Sequence, residues 1–176
     1  MTGSNGKPAV IGVAGWKNSG KTTLVVRLVE ELTARGFRVA TVKHAHHHFQ
    51  IDDKDTDTAR HRGAGARQVA IVSSRRWALI SELKDEPEPA LDDVIAKLAP
   101  CDVVIVEGYK RAAIPKIEVR RRAAASHVAL ADSDPHVFAV AADHAIETGE
   151  IPSFALDDTA GLADLICTAL RLRNPS

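Results

Sequence analysis

The sequence predicts an α/β domain of three layers, a mainly parallel sheet flanked by helices. Two patterns predict it. Runs that are apolar at every position, such as Val103-Val104-Ile105-Val106, suit strands buried on both faces, as parallel sheets require. Between them lie segments with apolar residues three or four apart, such as Leu24, Leu28 and Leu32, which share one face of a helix. The 176 residues, 45% of them hydrophobic, suffice for one domain of roughly 100–200 residues. With no internal repeat or dividing linker, residues 1–8 are expected as a flexible N-terminus and 9–176 as a single domain.

Taken in order, Ala9–Ala14 is a short buried strand and Thr23–Arg35 a helix, with Gly36 placed to cap its end. Arg38–Val42 reads as a second strand and Asp55–Gly63 as a short polar helix. Gln68–Ser73 and Trp77–Ile80 read as a hairpin around Ser74-Arg75-Arg76. Glu86-Pro87-Glu88-Pro89 breaks the chain before a helix over Leu91–Leu98. Asp102–Glu107 is the most strand-like run. Ile117–Val119 and Val137–Ala141 add two strands, and Thr159–Leu172 closes with a helix.

Composition narrows the function classes. Lys plus Arg and Asp plus Glu each number 23, so the net charge is zero, a poor match to a general nucleic-acid binder. Aromatics are only 4%, which disfavours base-stacking platforms. Cys101 and Cys167 form no paired motif and suit a reducing compartment. No apolar run approaches the roughly 18–20 residues of a membrane span, and the polar N-terminus does not read as a leader. A cytoplasmic location is the expectation.

Chemistry concentrates at Gly15-Trp16-Lys17-Asn18-Ser19-Gly20-Lys21-Thr22, which fits G-x-x-x-x-G-K-[ST] between a strand and a helix. In this phosphate-binding loop (P-loop) the glycines let successive backbone N–H groups approach phosphate oxygens, and the helix start adds its positive dipole end. Lys21 would reach the β- and γ-phosphates and Thr22 would ligate Mg²⁺. Lys17, Asn18, Ser19 and Thr23 complete the nucleotide-binding set. A signature lysine directly after the first glycine marks ParA/MinD-type ATPases; Trp16 holds that place here, so the register does not support a lysine acting across a dimer. Glu107, ending the buried strand, would arrive at the carboxyl edge of the sheet to hold the metal or orient water. Asp102 at the other end is expected to cap the preceding turn.

Together with their neighbours these residues resemble the molybdopterin-guanine dinucleotide biosynthesis protein B (MobB) family. The pattern takes in the loop, Val39-Ala-Thr-Val-Lys-His44, His46-His47, Asp52, and Asp57-Thr-Ala-Arg60-His61-Arg62-Gly63-Ala64-Gly65-Ala66. It continues through Arg76-Trp77-Ala78-Leu79, Val106-Glu107-Gly108-Tyr109-Lys110 and Pro115-Lys116-Ile117-Glu118. The resemblance runs from about Ala9 to Arg120. It implies a P-loop NTPase-like fold of the SIMIBI type that binds GTP with Mg²⁺ and hydrolyses it slowly. It further implies a homodimer assisting molybdopterin guanylyltransferase (MobA), which attaches GMP to molybdopterin.

The remaining candidates carry two readings each. Asp52 offers oxygen to Mg²⁺, and His44, His46, His47 and His48 either bind a soft metal or form a solvated loop. Arg60-His61-Arg62 either clamps a phosphate, including that of a pterin, or is a solvated helix face. Lys110 and Lys116 are expected in the P-loop crevice; Arg120-Arg121-Arg122 is expected as a solvated edge or interface patch. Asp143 is a guanine reader or a turn carboxylate, since the Asn-Lys-x-Asp pattern of regulatory GTPases is missing. Two other functions compete: a small-molecule kinase or ligase resembling dethiobiotin synthetase, and a metallochaperone GTPase resembling the nickel-insertion proteins.

Overall fold

The computed structural model describes residues 7–45, 51 and 55–173. Its described elements are β1 (Ala9–Gly15), α1 (Lys21–Ala34), β2 (Val39–Lys43), α2 (Asp57–Gly63), β3 (Gln68–Val72), β4 (Trp77–Ser81), α3 (Leu91–Ile95), β5 (Val103–Glu107), β6 (Lys116–Arg120), β7 (Val137–Ala142), β8 (Ser153–Ala155) and α4 (Thr159–Ala169). They fall into two compact units, one of residues 1–44 with 91–176 and one of residues 45–90.

The larger unit is built on a six-stranded sheet in the order β2-β5-β1-β6-β7-β8. Every pairing is parallel. The period-two alternation of strands then divides the core. Val103 and Ile105 pack on one face with Ile11, Val13, Ile117 and Val119, against Leu24, Leu28 and Leu32 of α1 and Leu162 and Ile166 of α4. Val104 and Val106 turn to the other face, with Val42, and meet Leu91, Val94, Ile95 and Leu98. That is the three-layer arrangement the apolar runs predict. Truncating a fully buried leucine such as Leu28 to Ala would cost about 2–5 kcal/mol.

Local chemistry sets the element ends. Helix α1 closes in a Schellman turn: Gly36 stands at φ 89°, its N–H bonds Thr33 O, and the N–H of buried Phe37 bonds Leu32 O. Asp158 caps α4 by accepting from the Gly161 N–H at 3.0 Å. Asp102 reaches across to Arg38 rather than capping the preceding turn. Its carboxylate accepts from the Arg38 N–H at 2.7 Å and from the Arg38 guanidinium at 2.7 and 3.1 Å. This ties the start of β5 to the start of β2. Strand β8 escaped sequence reading because it spans three residues, with no alternation long enough to register.

The smaller unit holds α2 and the antiparallel ribbon β3–β4, in which Val72 pairs with Trp77 and Val69 with Ile80. Thr56 caps α2, accepting from the Ala59 N–H. Val69 and Ile80 are buried, whereas Val72 and Trp77 are 74% and 69% exposed. No helix among the described residues is long and apolar enough to cross a membrane.

Candidate functional site

In an open parallel sheet the ends of neighbouring strands gather at one carboxyl edge. Because β5 and β6 both pair with β1, the loop after β1 lies between the ends of those two strands. The loop is tightly made. A Cβ on Gly15 would stand 2.5 Å from Ser19 Oγ and 2.6 Å from Val119 O, so only glycine fits. Asn18 and Gly20 take positive φ of 64° and 91°. No side chain caps α1 at Gly20, so its first N–H groups remain directed at the loop's concavity, the geometry that receives phosphate. Ser19 is fully buried and, among the described residues, its Oγ finds no hydrogen-bond partner.

Glu107, at the end of β5, meets this loop. Its Oε1 accepts from Thr22 Oγ1 at 2.7 Å and stands 3.3 Å from Lys43 Nζ. A hydroxyl and a largely buried carboxylate in contact at the mouth of a phosphate loop form a hard-oxygen pair suited to Mg²⁺. Lys21 Nζ donates to Trp16 O at 2.7 Å. Burial and the nearby Lys110 push the Lys21 ammonium below the usual lysine range, against the pull of Glu107. Lys110 lies with its ammonium 3.8 Å from the centroid of the Trp16 ring, a cation–π contact, and burial lowers it as well. Lys21 and Lys43 lie near one carboxylate and Lys110 lies near Lys21, a concentration of positive charge that favours a polyanion.

On the β6 side, a cleft of about 740 Å³ runs from Gly20 and Thr23 to the loops after β7 and β8, bordered by Arg121, Asp143, His144 and Asp157. Its size suits a nucleoside. Asp143 sits there with both oxygens engaged. Oδ1 meets His144 Nδ1 at 2.7 Å and accepts from the Arg122 N–H at 3.1 Å, while Oδ2 lies 3.5 Å from Arg121 Nε. The bond to His144 holds its carboxyl below the ordinary range.

The structure brings together Gly15, Lys17, Asn18, Ser19, Gly20, Lys21, Thr22, Thr23, Glu107 and Lys110, with Asp143 bordering the adjoining cleft. Arg60 is exposed on α2 in the smaller unit. Asp52, His46, His47 and His48 lie outside the described residues. Among the described residues, no group of three His, Cys, Asp or Glu side chains is placed to hold a metal ion.

Two expectations are corrected. Lys116 does not reach the crevice: it opens β6, is 1% exposed, and pairs with Asp134 Oδ2 at 2.6 Å. Arg121 is no solvated edge, since it lies against Gly20 and borders the cleft. Sequence reasoning also passed over Lys43, although its place at the carboxyl end of the second strand was a usable signal. Trp16, whose Nε1 donates to Val128 O at 2.7 Å, had no such signal, because its partner lies 112 residues away.

Comparison with known proteins agrees with the fold. The family model for molybdopterin guanine dinucleotide synthesis protein B matches residues 10–143. The chain is 34% identical over 167 residues to the molybdopterin-guanine dinucleotide biosynthesis adapter protein of Escherichia coli, covering 94% of this chain and 95% of the relative. It is 37% identical over 146 residues to the protein of that name from Haemophilus influenzae, covering 81% and 79%. A crystal structure of molybdopterin-guanine biosynthesis protein B superposes with a TM-score of 0.71 at 27% identity, covering 92% of this chain and 99% of that one. The MobB homologue from Bacillus stearothermophilus gives 0.66 at 29%, covering 93% and 99%.

Proposed function

This chain belongs to the molybdopterin guanine dinucleotide synthesis protein B family, and from that premise we propose that it is a Mg²⁺-dependent GTP-binding adapter of molybdenum cofactor biosynthesis. One observation carries the nucleotide half of the reading: the Thr22–Glu107 contact at the mouth of an intact phosphate loop. The loop's N–H groups and Lys21 would receive the β- and γ-phosphates, and Thr22 and Glu107 would hold Mg²⁺. Bound there, Mg²⁺ would neutralise charge on the phosphate oxygens. Lys110 and Lys43 add to the attraction, and Asp143 borders the cleft on the side where the base would lie.

Glu107 already serves Thr22 and Lys43 through one oxygen. A carboxylate so engaged is better suited to holding a metal's shell than to deprotonating water, which supports slow hydrolysis and an adapter's role. The partner would be the guanylyltransferase that attaches GMP to molybdopterin. Arg60, exposed on α2, is available to a phosphate of either partner or precursor. Self-association into a homodimer is supported by the ribbon of the smaller unit, where Val72, Trp77, Ile71 and Leu79 are 49–74% exposed.

Equilibrium binding of GTP to the wild type and to Lys21→Ala tests the nucleotide site. Loss of binding with unchanged thermal unfolding supports the assignment; retained affinity refutes it.

A further inference from the structure

The end of β6 delivers a further cation to the phosphate loop, on the side away from Glu107. Arg121 follows β6 directly. Its Cδ lies 2.9 Å, and its Nη1 3.6 Å, from where a Cβ on Gly20 would stand, so the guanidinium rests against the backbone that opens α1. It borders the same cleft as Thr23 and Asp143. Its Nε is buried and makes no hydrogen bond. Its approach to Asp143 at 3.5 Å is an ion pair, longer than an N–H···O bond. The four Nη donors meet no acceptor among the described residues and, on a side chain 43% exposed, remain for an acceptor in the cleft.

The backbone carrying Arg121 is fixed from several directions. The Ala125 N–H donates to Lys17 O at 2.9 Å, and Trp16 Nε1 donates to Val128 O. Glu118, 1% exposed, accepts from the Leu130 and Ala131 N–H groups at 2.8 and 3.0 Å and pairs with Arg120 at 2.8 Å. The segment after β6 is thus bonded to the first half of the phosphate loop and to the strand behind it. Arg121 needs little reorganisation to bind, which favours it as a recognition group.

We propose that Arg121 binds the α-phosphate of the nucleotide, bridging it to Asp143. The proposal rests on the nucleotide-binding reading above. Lys21, Thr22 and Glu107 mark the β- and γ-phosphate end of the loop. Arg121 stands on the opposite flank, where the loop opens into the nucleoside cleft, and the phosphate between those two regions is the α-phosphate. A guanidinium matches it because its planar fork can address two phosphate oxygens at once. Asp143 then acts as a positioning residue toward Arg121. It stays in place without Arg121, because His144 and the Arg122 N–H hold its other oxygen.

The test is competition binding of GTP, ITP and GMP to the wild type, Arg121→Ala and Arg121→Gln, with thermal unfolding of each. All three nucleotides share the α-phosphate, ITP lacks the guanine 2-amino group, and GMP lacks the outer phosphates. The expected result is a loss of about tenfold to a hundredfold in affinity, equal for all three nucleotides, in both variants. A loss spared in GMP would place Arg121 on an outer phosphate and overturn the proposal. A loss spared in ITP would mean that Arg121 acts on the base through Asp143, and would overturn it too, as would unchanged affinity. A wild type that binds none of the three refutes the nucleotide-binding reading itself and is distinct from these outcomes.

Discussion

Thr22 Oγ1 donates a 2.7 Å hydrogen bond to Glu107 Oε1 although 85 residues separate them in the chain. The contact exists because β1 and β5 are parallel neighbours, with Val13 in register with Glu107. The second residue of α1, brought back to the sheet edge by the loop after β1, and the last residue of β5 therefore meet at one edge.

That relationship makes Glu107→Gln the sharpest probe of catalysis. An amide can keep the Thr22 hydrogen bond but not the charge. GTP hydrolysis is expected to fall by roughly a hundredfold, and its Mg²⁺ optimum to move to higher concentration, with nucleotide binding near normal. Steady-state phosphate release against Mg²⁺ concentration measures both. Unaltered turnover would remove Glu107 from the reaction.

Gly15→Ala places a methyl group against Ser19 Oγ and Val119 O, at 2.5 and 2.6 Å. Ser19 can rotate, but the β6 backbone cannot withdraw without disturbing its pairing with β1. Nucleotide binding is expected to be lost, with stability lower by about 1–3 kcal/mol. Calorimetry and denaturant unfolding together check this, and normal affinity would show that the loop tolerates a side chain there.

The Lys116–Asp134 pair predicts a stability effect without a functional one. Burial alone would push the Asp134 carboxyl up, but the Lys116 ammonium and the His136 N–H outweigh it and hold it below the ordinary 3.8. A lowered folded value means that the contribution is complete above the ordinary value and disappears as pH falls through the lowered one. Asp134→Asn should therefore cost about 3 kcal/mol at pH 7 by leaving the buried Lys116 ammonium, which keeps its bond to Ala112 O, without its counter-ion. The gap from wild type should close in acid below about pH 4. GTP affinity should not change. A gap that persists in acid would separate the cost from the ion pair.

Much of this was legible in the sequence, and the limits have physical causes. The P-loop could be read because its function needs fixed residue types at fixed spacing between a strand and a helix. Val103–Val106 could be read because burial on both faces leaves no polar position. Lys116 could not be placed, because a lysine after an acidic strand looks the same whether it faces a ligand or a buried aspartate 18 residues on. Arg121 was obscured by Arg120 and Arg122: three adjacent arginines resemble a solvated run until the strand's alternation assigns each a direction. Arg120 turns to buried Glu118, and Arg121 to the cleft.

The exposed ribbon leads to a prediction about assembly. Trp77→Glu puts a charge opposite Val72, at the turn end of the apolar surface of β3–β4. Light scattering is expected to show a dimer for the wild type and a shift toward monomer for the variant. An unchanged mass would place self-association elsewhere.

The central claim is a Mg²⁺-dependent site for a guanine nucleotide. Isothermal titration of the protein with GTP and with ATP, each with and without Mg²⁺, addresses it directly. Clear binding of GTP that strengthens with Mg²⁺ and exceeds that of ATP is expected. Preference for ATP, equal affinity for both, or indifference to Mg²⁺ would contradict it.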